Sequence, residues 1–471
     1  MATPPVPGRR VTLHDPLDRH ETVAVLGLGA TGRAACRLAH RLGKRVIAAD
    51  RNADLDPAPF AGIATVHPGT HDIDDATAVI LSPALNPEWP ENRAHPELGP
   101  IYDRADAGEL ALVSEVDAAC AAFARPFVSV GGTDGKSTTA ALAAALVRAT
   151  GADTILGGNS WPPMSARVLE QPDATGAIVE ISAFQLWPGH AIRPTAAVLT
   201  NIADDHLDHY ATQDDYVAAK LRILDHLGDG LFVPWQGDAR LAAAADAFAA
   251  SGGRVARVDG TPGNEAGYAR DTGETIEAHL DGRTLAVPRD ALVLPGAHNR
   301  RNLQAALLAT LALVDGPIDA ESIADAVRGF HGLDHRVQFV RERDGVRFYD
   351  DSKATNVHAA VIGLRALERP VVAVVGGVDK GLELDDLVTA LGDVARHVVL
   401  IGALADRLGA RLDGVVTWEV ATSMDDAARR AAAAARSGDA VTLAPAASSF
   451  DWFSGFAERG RVWQAAVRAL S

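Results

Sequence analysis

The sequence has almost no cysteine. Only Cys36 and Cys120 occur, each within an Ala-rich stretch that reads as helix, which excludes a disulfide framework and a cysteine zinc site and leaves both as small core residues. Clustered basic charge is also missing. With 44 Lys and Arg against 61 Asp and Glu, the formal charge is −17, and no Lys/Arg stripe offers a footprint for nucleic acid. No stretch approaches 18 uninterrupted apolar residues, and the first twenty carry Pro, Arg, Asp and His with no apolar core of a signal peptide. No membrane insertion is expected, and the expected location is the cytoplasm. Charged residues are 22% and hydrophobic residues 48%, ordinary globular proportions, and 471 residues suffice for two to four domains. Anionic ligands, if any, must therefore be held by local devices such as backbone amides, a few lysines and divalent metal.

Short β-branched runs alternate with Ala/Leu-rich amphipathic runs, the pattern of βαβ units and parallel sheets. It starts afresh three times. The first series opens at TVAVLGLGATG, with one strand from Thr22 and the next ending at Asp50, and a Pro-dense stretch from Pro83 to Pro100 interrupts it. The second opens at PFVSVGGTDGKSTT, with a helix over 137–149, strands at 178–182 and 196–202, and a helix over about 214–227. Residues 228–290 read as a less regular β segment. The third opens at VRFYDDSKATN and closes with a helix from about Ala457. The expected fold is α/β in three domains: 1–122 Rossmann-like, 123–331 a central P-loop ATPase-like domain with a mostly parallel sheet, and 332–471 Rossmann-like.

Gly27, Gly29 and Gly32 form G-x-G-x-x-G between a strand and a helix, with Asp50 where an acid for a ribose is expected. Glycines let backbone approach a pyrophosphate, whose charge meets the helix N-terminus. The bland reading is a tight turn with no ligand. The stronger signal is GGTDGKSTT at 131–139. It departs from the common phosphate loop because Val130 stands six before Lys136, leaving Gly132-x-x-Gly135-Lys136-Ser137. Successive amides can still wrap an anion, Lys136 can meet β and γ phosphates, and Ser137 or Thr138 can ligate Mg²⁺. Two such loops imply two phosphorylated ligands, one of them ATP and the other a nucleotide-linked substrate.

Glu180 breaks the apolar run IVEIS, and a carboxylate mid-strand is costly unless paired or on metal. His206 follows the next strand in TNIADDHLDHY, so the two form a candidate Mg²⁺ pair. A capping or core imidazole is the alternative for His206. In DDYVAAKLRILDHL, Lys220 shares the apolar stripe with Tyr216, Ile223 and Leu227. Either it snorkels outward, or it is buried as a neutral amine that CO₂ can convert to an anionic carbamate ligand. Asn299 and Asn302 lie three apart at a helix start, able to cap it or to read an adenine edge. DDSKATN (350–356) and GGVDKG (376–381) leave strands with acid, base and amide groups, each weak alone.

Taken in order, GLGATG, GTDGKST, GGN, EISAFQL, TNIADDHLDHY, AAKLRIL, HNRRN, DHR, DSKATN, GGVDKG and LAPAASSFDWFSGFAERG make the chain resemble, over nearly its whole length, the Mur ligases of peptidoglycan synthesis. DSKATN favours the branch that adds D-glutamate to UDP-N-acetylmuramoyl-L-alanine. The resemblance implies an enzyme of cell wall biogenesis with ATP and Mg²⁺ as cofactors, an N-terminal domain for the UDP moiety, a central ATPase domain and a C-terminal domain that takes the amino acid and closes over ATP. A monomer is expected. It implies Gly132, Thr133, Asp134, Gly135, Lys136, Ser137 and Thr138 around the phosphates, Asn299 and Asn302 on the adenine side, and Arg336 and Asp351 as ATP contacts from the closing domain. Gly29, Ala30, Thr31, Asp50, Arg51 and Ser82 fall to the UDP moiety, and Asn159, Ser182 and His206 to the muramoyl-alanyl arm. Lys353, Thr355, Lys380, Ser449, Phe450 and Phe456 fall to the incoming glutamate. Ser137, Glu180, His206 and Lys220 as carbamate fall to the metal, with Lys136, His206 and Lys220 catalytic. The chain departs from the family at Ser160-Trp161-Pro162, where Ile-Gly is usual, and at Ala84 and Ala444. His335 is placed either to deprotonate the incoming amine or to support Arg336. Rival readings are a relative acting on L-glutamate or another acid, as a folylpolyglutamate synthase does, an NAD-dependent dehydrogenase using the first glycine motif, and a non-catalytic nucleotide switch.

Overall fold

The computed structural model describes residues 16–470 apart from 74, 188–190, 204–208, 211, 264, 380 and 382. Its strands form three sheets. The first contains β1 (Thr22–Leu26), β2 (Arg45–Asp50), β3 (Thr65–Pro68), β4 (Ala78–Leu81) and β5 (Ala111–Ser114), in the order β3-β2-β1-β4-β5 and parallel throughout. The order reverses between β1 and β4, and ligands of such sheets bind at that crevice, beyond the carboxyl ends of the strands. The Pro-dense stretch holds the helices Pro90–Arg93 and Leu98–Asp106, after which β5 completes the sheet.

The second sheet contains β6 (Phe127–Gly131), β7 (Thr154–Gly158), β8 (Gly176–Glu180), β9 (Ala196–Leu199), β10 (Leu231–Pro234), β11 (Arg254–Val258), β12 (Gly267–Asp271), β13 (Thr275–Leu280) and β14 (Arg283–Pro288). Its order is β14-β13-β12-β11-β10-β9-β6-β8-β7, parallel from β7 to β12 with an antiparallel edge at β13 and β14. Residues 228–290 are thus more regular than their sequence suggests, because five strands and the helix Ala239–Ala250 carry the central sheet onward. β6 lies between β8 and β9, so the loops leaving these three strands meet at one edge. The helix Lys136–Ala149 is Ala-rich and buried along most of its length, and its small side chains let it lie close on the sheet.

The third sheet contains β15 (Gln338–Arg343), β16 (Val346–Asp350), β17 (Val371–Gly376), β18 (Ala395–Ile401), β19 (Trp418–Val420) and β20 (Ala440–Leu443), ordered β15-β16-β20-β17-β18-β19. Only β15 is antiparallel. By its internal contacts the chain divides into two compact units, residues 1–289 with 301–327, and 290–300 with 328–471. The first unit holds two sheets because one apolar core runs through both. Val25 and Ala35, Cys120 of the helix Glu115–Phe123, and Met164 of the helix Met164–Glu170 belong to the same buried cluster as Phe127 and Val179. In the second unit, two clusters led by Val375 with Leu400 and by Val374 with Trp463 bury the two faces of the sheet. Among the described residues, no helix is long and apolar enough to cross a membrane.

Candidate active site

The chain leaves β6 through a loop that only glycine could build at two points. Gly132 has φ +125°, and a Cβ there would stand 2.0 Å from Thr200 Oγ1; Gly135 has φ +80°, and its Cβ would stand 2.6 Å from Asn302 Oδ1. The loop is held from the β9 side. Thr133 N donates to Asn201 O (2.9 Å), Asp134 N to Asn201 Oδ1 (3.0 Å), and Thr200 Oγ1 and Asn201 Nδ2 both donate to Asp134 O. Gly135 precedes the helix Lys136–Ala149 and offers no side-chain cap, so the first helical amides remain for an anion. Lys136 Nζ donates to Thr133 O (2.6 Å) over the loop, and Ser137 and Thr138 are buried in the first turn. Thr139 Oγ1 donates to Asn302 Oδ1 (3.2 Å), which fixes Asn302 against Gly135.

Glu180 ends β8 with no exposed surface. Its Oε1 accepts from Asn159 Nδ2 (3.2 Å) and Ser160 Oγ (2.8 Å), and its Oε2 is buried without a hydrogen-bond partner among the described residues. A buried, half-satisfied carboxylate is costly, and a divalent cation is the partner that would offset it. Among the described residues no three His, Cys, Asp or Glu side chains group as a metal site. This donor set suits Mg²⁺, which keeps waters and takes substrate phosphates as ligands. Lys220 does not snorkel. It is 4% exposed, donates from Nζ to Gly132 O (2.8 Å), and lies 4.2 Å above the Tyr216 ring. The apolar stripe expected from sequence is buried, with Tyr216, Ile223 and Leu227 at 3% exposure or less, although the helix is Gln213–Leu221 followed by a 3₁₀ turn over Arg222–Leu224. His206 lies outside the described residues.

At the first sheet, Gly27 (φ +82°) packs against Ser82, where an added Cβ would meet Ser82 Cβ at 2.8 Å, and a Cβ on Gly32 would stand 2.0 Å from Gly27 O. Both glycines are therefore needed by the turn itself. Gly29 precedes an uncapped helix at Ala30 and Thr31, beside the β1/β4 reversal. Asp50 ties the turn together, its Oδ2 accepting from Leu28 N (2.6 Å) and its Oδ1 from Asn52 N (2.9 Å). Arg51 is exposed beside it. Ser182 caps a 3₁₀ turn through Gln185.

In the second unit, Asp350 ends β16 fully buried. It accepts from His335 Nδ1 (2.7 Å), Gln464 Nε2 (2.8 Å) and Ser352 N (2.9 Å), so His335, at φ +62°, is anchored inward. Asp351 is 5% exposed and accepts from Val337 N (3.0 Å), and burial pushes its carboxyl up to about 8. Arg336 and Lys353 are exposed, Thr355 is half-buried and Ser449 buried. Phe450 is 69% exposed and Phe456 37%, with the Phe456 ring edge-on to His335 at 6.2 Å. Arg459, buried, donates to Ser352 Oγ, Ser352 O and Ala447 O and so joins the β16 and β20 loops; Asn299 Nδ2 donates to Pro295 O. Lys380 lies outside the described residues.

Comparison with known proteins agrees with this arrangement. Residues 130–310 match the model of the Mur ligase middle domain, and 335–447 that of the Mur ligase glutamate ligase domain. The UDP-N-acetylmuramoylalanine–D-glutamate ligase of Geotalea daltonii is 34% identical over 457 residues, 95% of this chain and 97% of its own. The chain belongs to the Mur ligase family. The ligase of the same name from Aromatoleum aromaticum is 38% identical over 473 residues, 95% of this chain and 97% of its own. In fold, this family member is similar to a solved UDP-N-acetylmuramoyl-L-alanyl-D-glutamate–2,6-diaminopimelate ligase, with a TM-score of 0.56 at 19% identity over 91% of this chain and 92% of that one.

Thr200 and Asn201 are the residues that sequence reasoning passed over. They stand in the string TNI read as the end of a strand, yet β9 stops at Leu199 and the next two side chains turn to grip the loop after β6. Polar residues directly after an apolar strand in a parallel sheet were the available signal. Ser160, noted only as a departure, and Asp350, noted only as part of DDSKATN, were given no role; Gln464, one partner of Asp350, lies 114 residues away.

Proposed function

We propose that the chain is an ATP-dependent ligase that joins D-glutamate to UDP-N-acetylmuramoyl-L-alanine, releasing ADP and phosphate, in the cytoplasmic assembly of peptidoglycan precursors. The observation that carries this reading is the convergence, at the edge where β8, β6 and β9 end, of an anion loop, a buried carboxylate with one unpartnered oxygen and a buried lysine. The relatives named D-glutamate ligases, matched over nearly the whole chain, support the choice of substrates.

A carboxylate does not form an amide in water unless its oxygen is first made a leaving group. The alanyl carboxylate oxygen takes the γ-phosphoryl of ATP, the bond to ADP breaks, and an acyl phosphate results. The amine of glutamate then attacks the acyl carbon, loses a proton, and phosphate departs. Gly132 to Thr138 hold the triphosphate through backbone amides and the Lys136 ammonium, placing positive charge where the transferring group is negative. Asn302, fixed by Thr139, serves the nucleotide. Glu180 and Ser137, with His206 and a carbamylated Lys220, would hold Mg²⁺, which supplies charge neutralisation on the phosphates. Gly29, Ala30, Thr31, Arg51 and Ser82 receive the UDP moiety at the first sheet's reversal point, and Asp50 acts there by shaping the turn. Asn159 and Ser182 line the path of the muramoyl arm. Lys353, Thr355, Lys380, Ser449, Phe450 and Phe456 take the glutamate. Each sheet carries one of three domains, divided near residues 122 and 331, and the working species is a monomer.

The deciding experiment is phosphate release with UDP-N-acetylmuramoyl-L-alanine and ATP, run with D-glutamate, L-glutamate and no amino acid. Turnover with the D enantiomer alone is expected. Turnover only with L-glutamate or a folate-type acid moves the chain to another branch, and nicotinamide reduction without phosphate release would overturn the ligase reading.

A further inference from the structure

Glu180 is not simply a carboxylate in a strand, because the loop that leaves β7 is stapled onto it. In the β7/β8 register Gly158 pairs with Glu180, and Gly158 takes φ +109° with no room for a side chain, since a Cβ would stand 2.2 Å from Glu180 O. Asn159 N then donates to Glu180 O (2.9 Å), while Asn159 Nδ2 and Ser160 Oγ both donate to Oε1, at 3.2 and 2.8 Å. The loop is stiff. Trp161 N closes back on Gly158 O (3.2 Å), Gly158 N donates to Pro162 O (3.2 Å), and Pro162 and Pro163 fix the backbone into the helix Met164–Glu170. Among the described residues both side-chain donors to the carboxylate fall on one oxygen, and the other, Oε2, is buried with none.

We infer that Ser160 is a positioning residue for the metal, holding the Glu180 carboxylate so that Oε2 alone is presented to a divalent cation. A hydroxyl donor of this kind locks the carboxylate torsion, which is broad in a free Glu, and withdraws Oε1 from competition for the ion. The orienting bond depends on the Ser160 hydroxyl, a donor that an aliphatic side chain at this position would lack. The inference rests on Glu180 holding the cation, and the experiment separates the two claims.

Mn²⁺ is titrated into the full chain carrying a non-hydrolysable ATP analogue, and the bound ion is followed by electron paramagnetic resonance. Loss of a bound ion in Glu180→Gln supports the site. Given that loss, Ser160→Ala is expected to weaken the same ion by about tenfold and Ser160→Thr to retain it. The half-saturating Mg²⁺ for turnover should rise with Ser160→Ala while kcat at saturating Mg²⁺ changes little, and the ligand-free melting temperature should stay at the wild-type value. Unchanged Mn²⁺ affinity in Ser160→Ala beside a lost ion in Glu180→Gln overturns the role of Ser160 alone. An unaltered Mn²⁺ profile in Glu180→Gln overturns the metal site and this inference with it.

Discussion

Lys220 Nζ donates to Gly132 O across 2.8 Å, so a lysine from the helix Gln213–Leu221 closes on the backbone of the anion loop. At 4% exposure and 4.2 Å above the Tyr216 ring, Nζ is held out of bulk water beside the loop, where a carbamate formed on it would also be placed. The ammonium first gives up one proton, and the amine nitrogen then bonds to the carbon of CO₂ and loses a second, which turns a cation into an anion beside the phosphates. Lys220→Ala should therefore reduce phosphate release by about 10²-fold or more, the usual scale for losing charge stabilisation at a reacting centre. Acetate or formate at high concentration should restore part of the rate by occupying the vacated space as a carboxylate. Full activity in the variant would remove the carbamate from the mechanism.

Gly132 and Gly135 should respond unequally to alanine. At Gly132 the added Cβ would meet Thr200 Oγ1 at 2.0 Å, Thr200 N at 3.0 Å and Asn201 O at 3.1 Å, two of which are backbone next to β9. At Gly135 the three nearest atoms all belong to the Asn302 amide, a side chain that can shift if its bond from Thr139 Oγ1 gives way. Both alanines also pay about 1–3 kcal/mol for a left-handed backbone. Gly132→Ala should lose nucleotide affinity by roughly a hundredfold and Gly135→Ala by roughly tenfold, as strain of that size converts at about 1.4 kcal/mol per decade. Titration of a fluorescent ATP analogue checks the ranking, and equal losses would show that Thr200 does not constrain the loop.

What the sequence disclosed follows from how local the signal is. Glycine spacing after β1 and β6 located both turns, because a left-handed residue and a close backbone approach each demand glycine at a fixed offset. The 3.6-residue period placed Lys220 on a buried stripe. Residues 228–290 were harder although β10 to β14 pair in sequence order, since the strands are only four to six residues long and the helix Ala239–Ala250 has weak contrast between its faces. Contacts across long separations left no trace at all. Glu88 and Arg222 are 134 residues apart, and nothing near either residue announces the other. Asp50, the acid expected at a ribose, also accepts from Leu28 N in the turn after β1 and from Asn52 N after β2, two contacts that the local pattern did not announce.

The Glu88 and Arg222 pair supplies a third test. Arg222 NH2 donates to Glu88 Oε1 (2.7 Å), its NH1 donates to Oε2 and to Leu186 O, and both side chains are at most 26% exposed. Trp89 next to it stacks on His209 at 4.0 Å and meets Phe184 edge-on. The Pro-dense stretch of the first sheet is thereby fastened to the segment that follows Lys220. Glu88→Ala leaves a half-buried guanidinium short of its partner and should destabilise the first unit by about 1–3 kcal/mol. Arg222→Ala should cost a similar amount, and the double variant clearly less than the sum. Thermal unfolding of the three variants checks the cycle, and strict additivity would mean that the pair contributes no coupling.

Asp351 gives a dependence on pH whose sign can be worked out. Its carboxyl is held up to about 8, first by burial, then by the charge of Asp350, against the opposing pull of the Val337 amide and Arg336. The folded chain therefore binds this proton more tightly than the unfolded chain does. The stability it contributes is fully present below the unfolded carboxylate range near 4 and is lost as pH rises toward 8, at up to about 1.4 kcal/mol per pH unit for one proton. Asp351→Asn keeps an oxygen for Val337 N and removes the titration. The variant should match the wild type near pH 4.5 and be the more stable of the two near pH 8.5, without ligands, when the unfolding transition of the second unit is followed by calorimetry. A constant difference between the two across that range would show that Asp351 is ionised in the folded chain and that its burial is compensated by a charge partner.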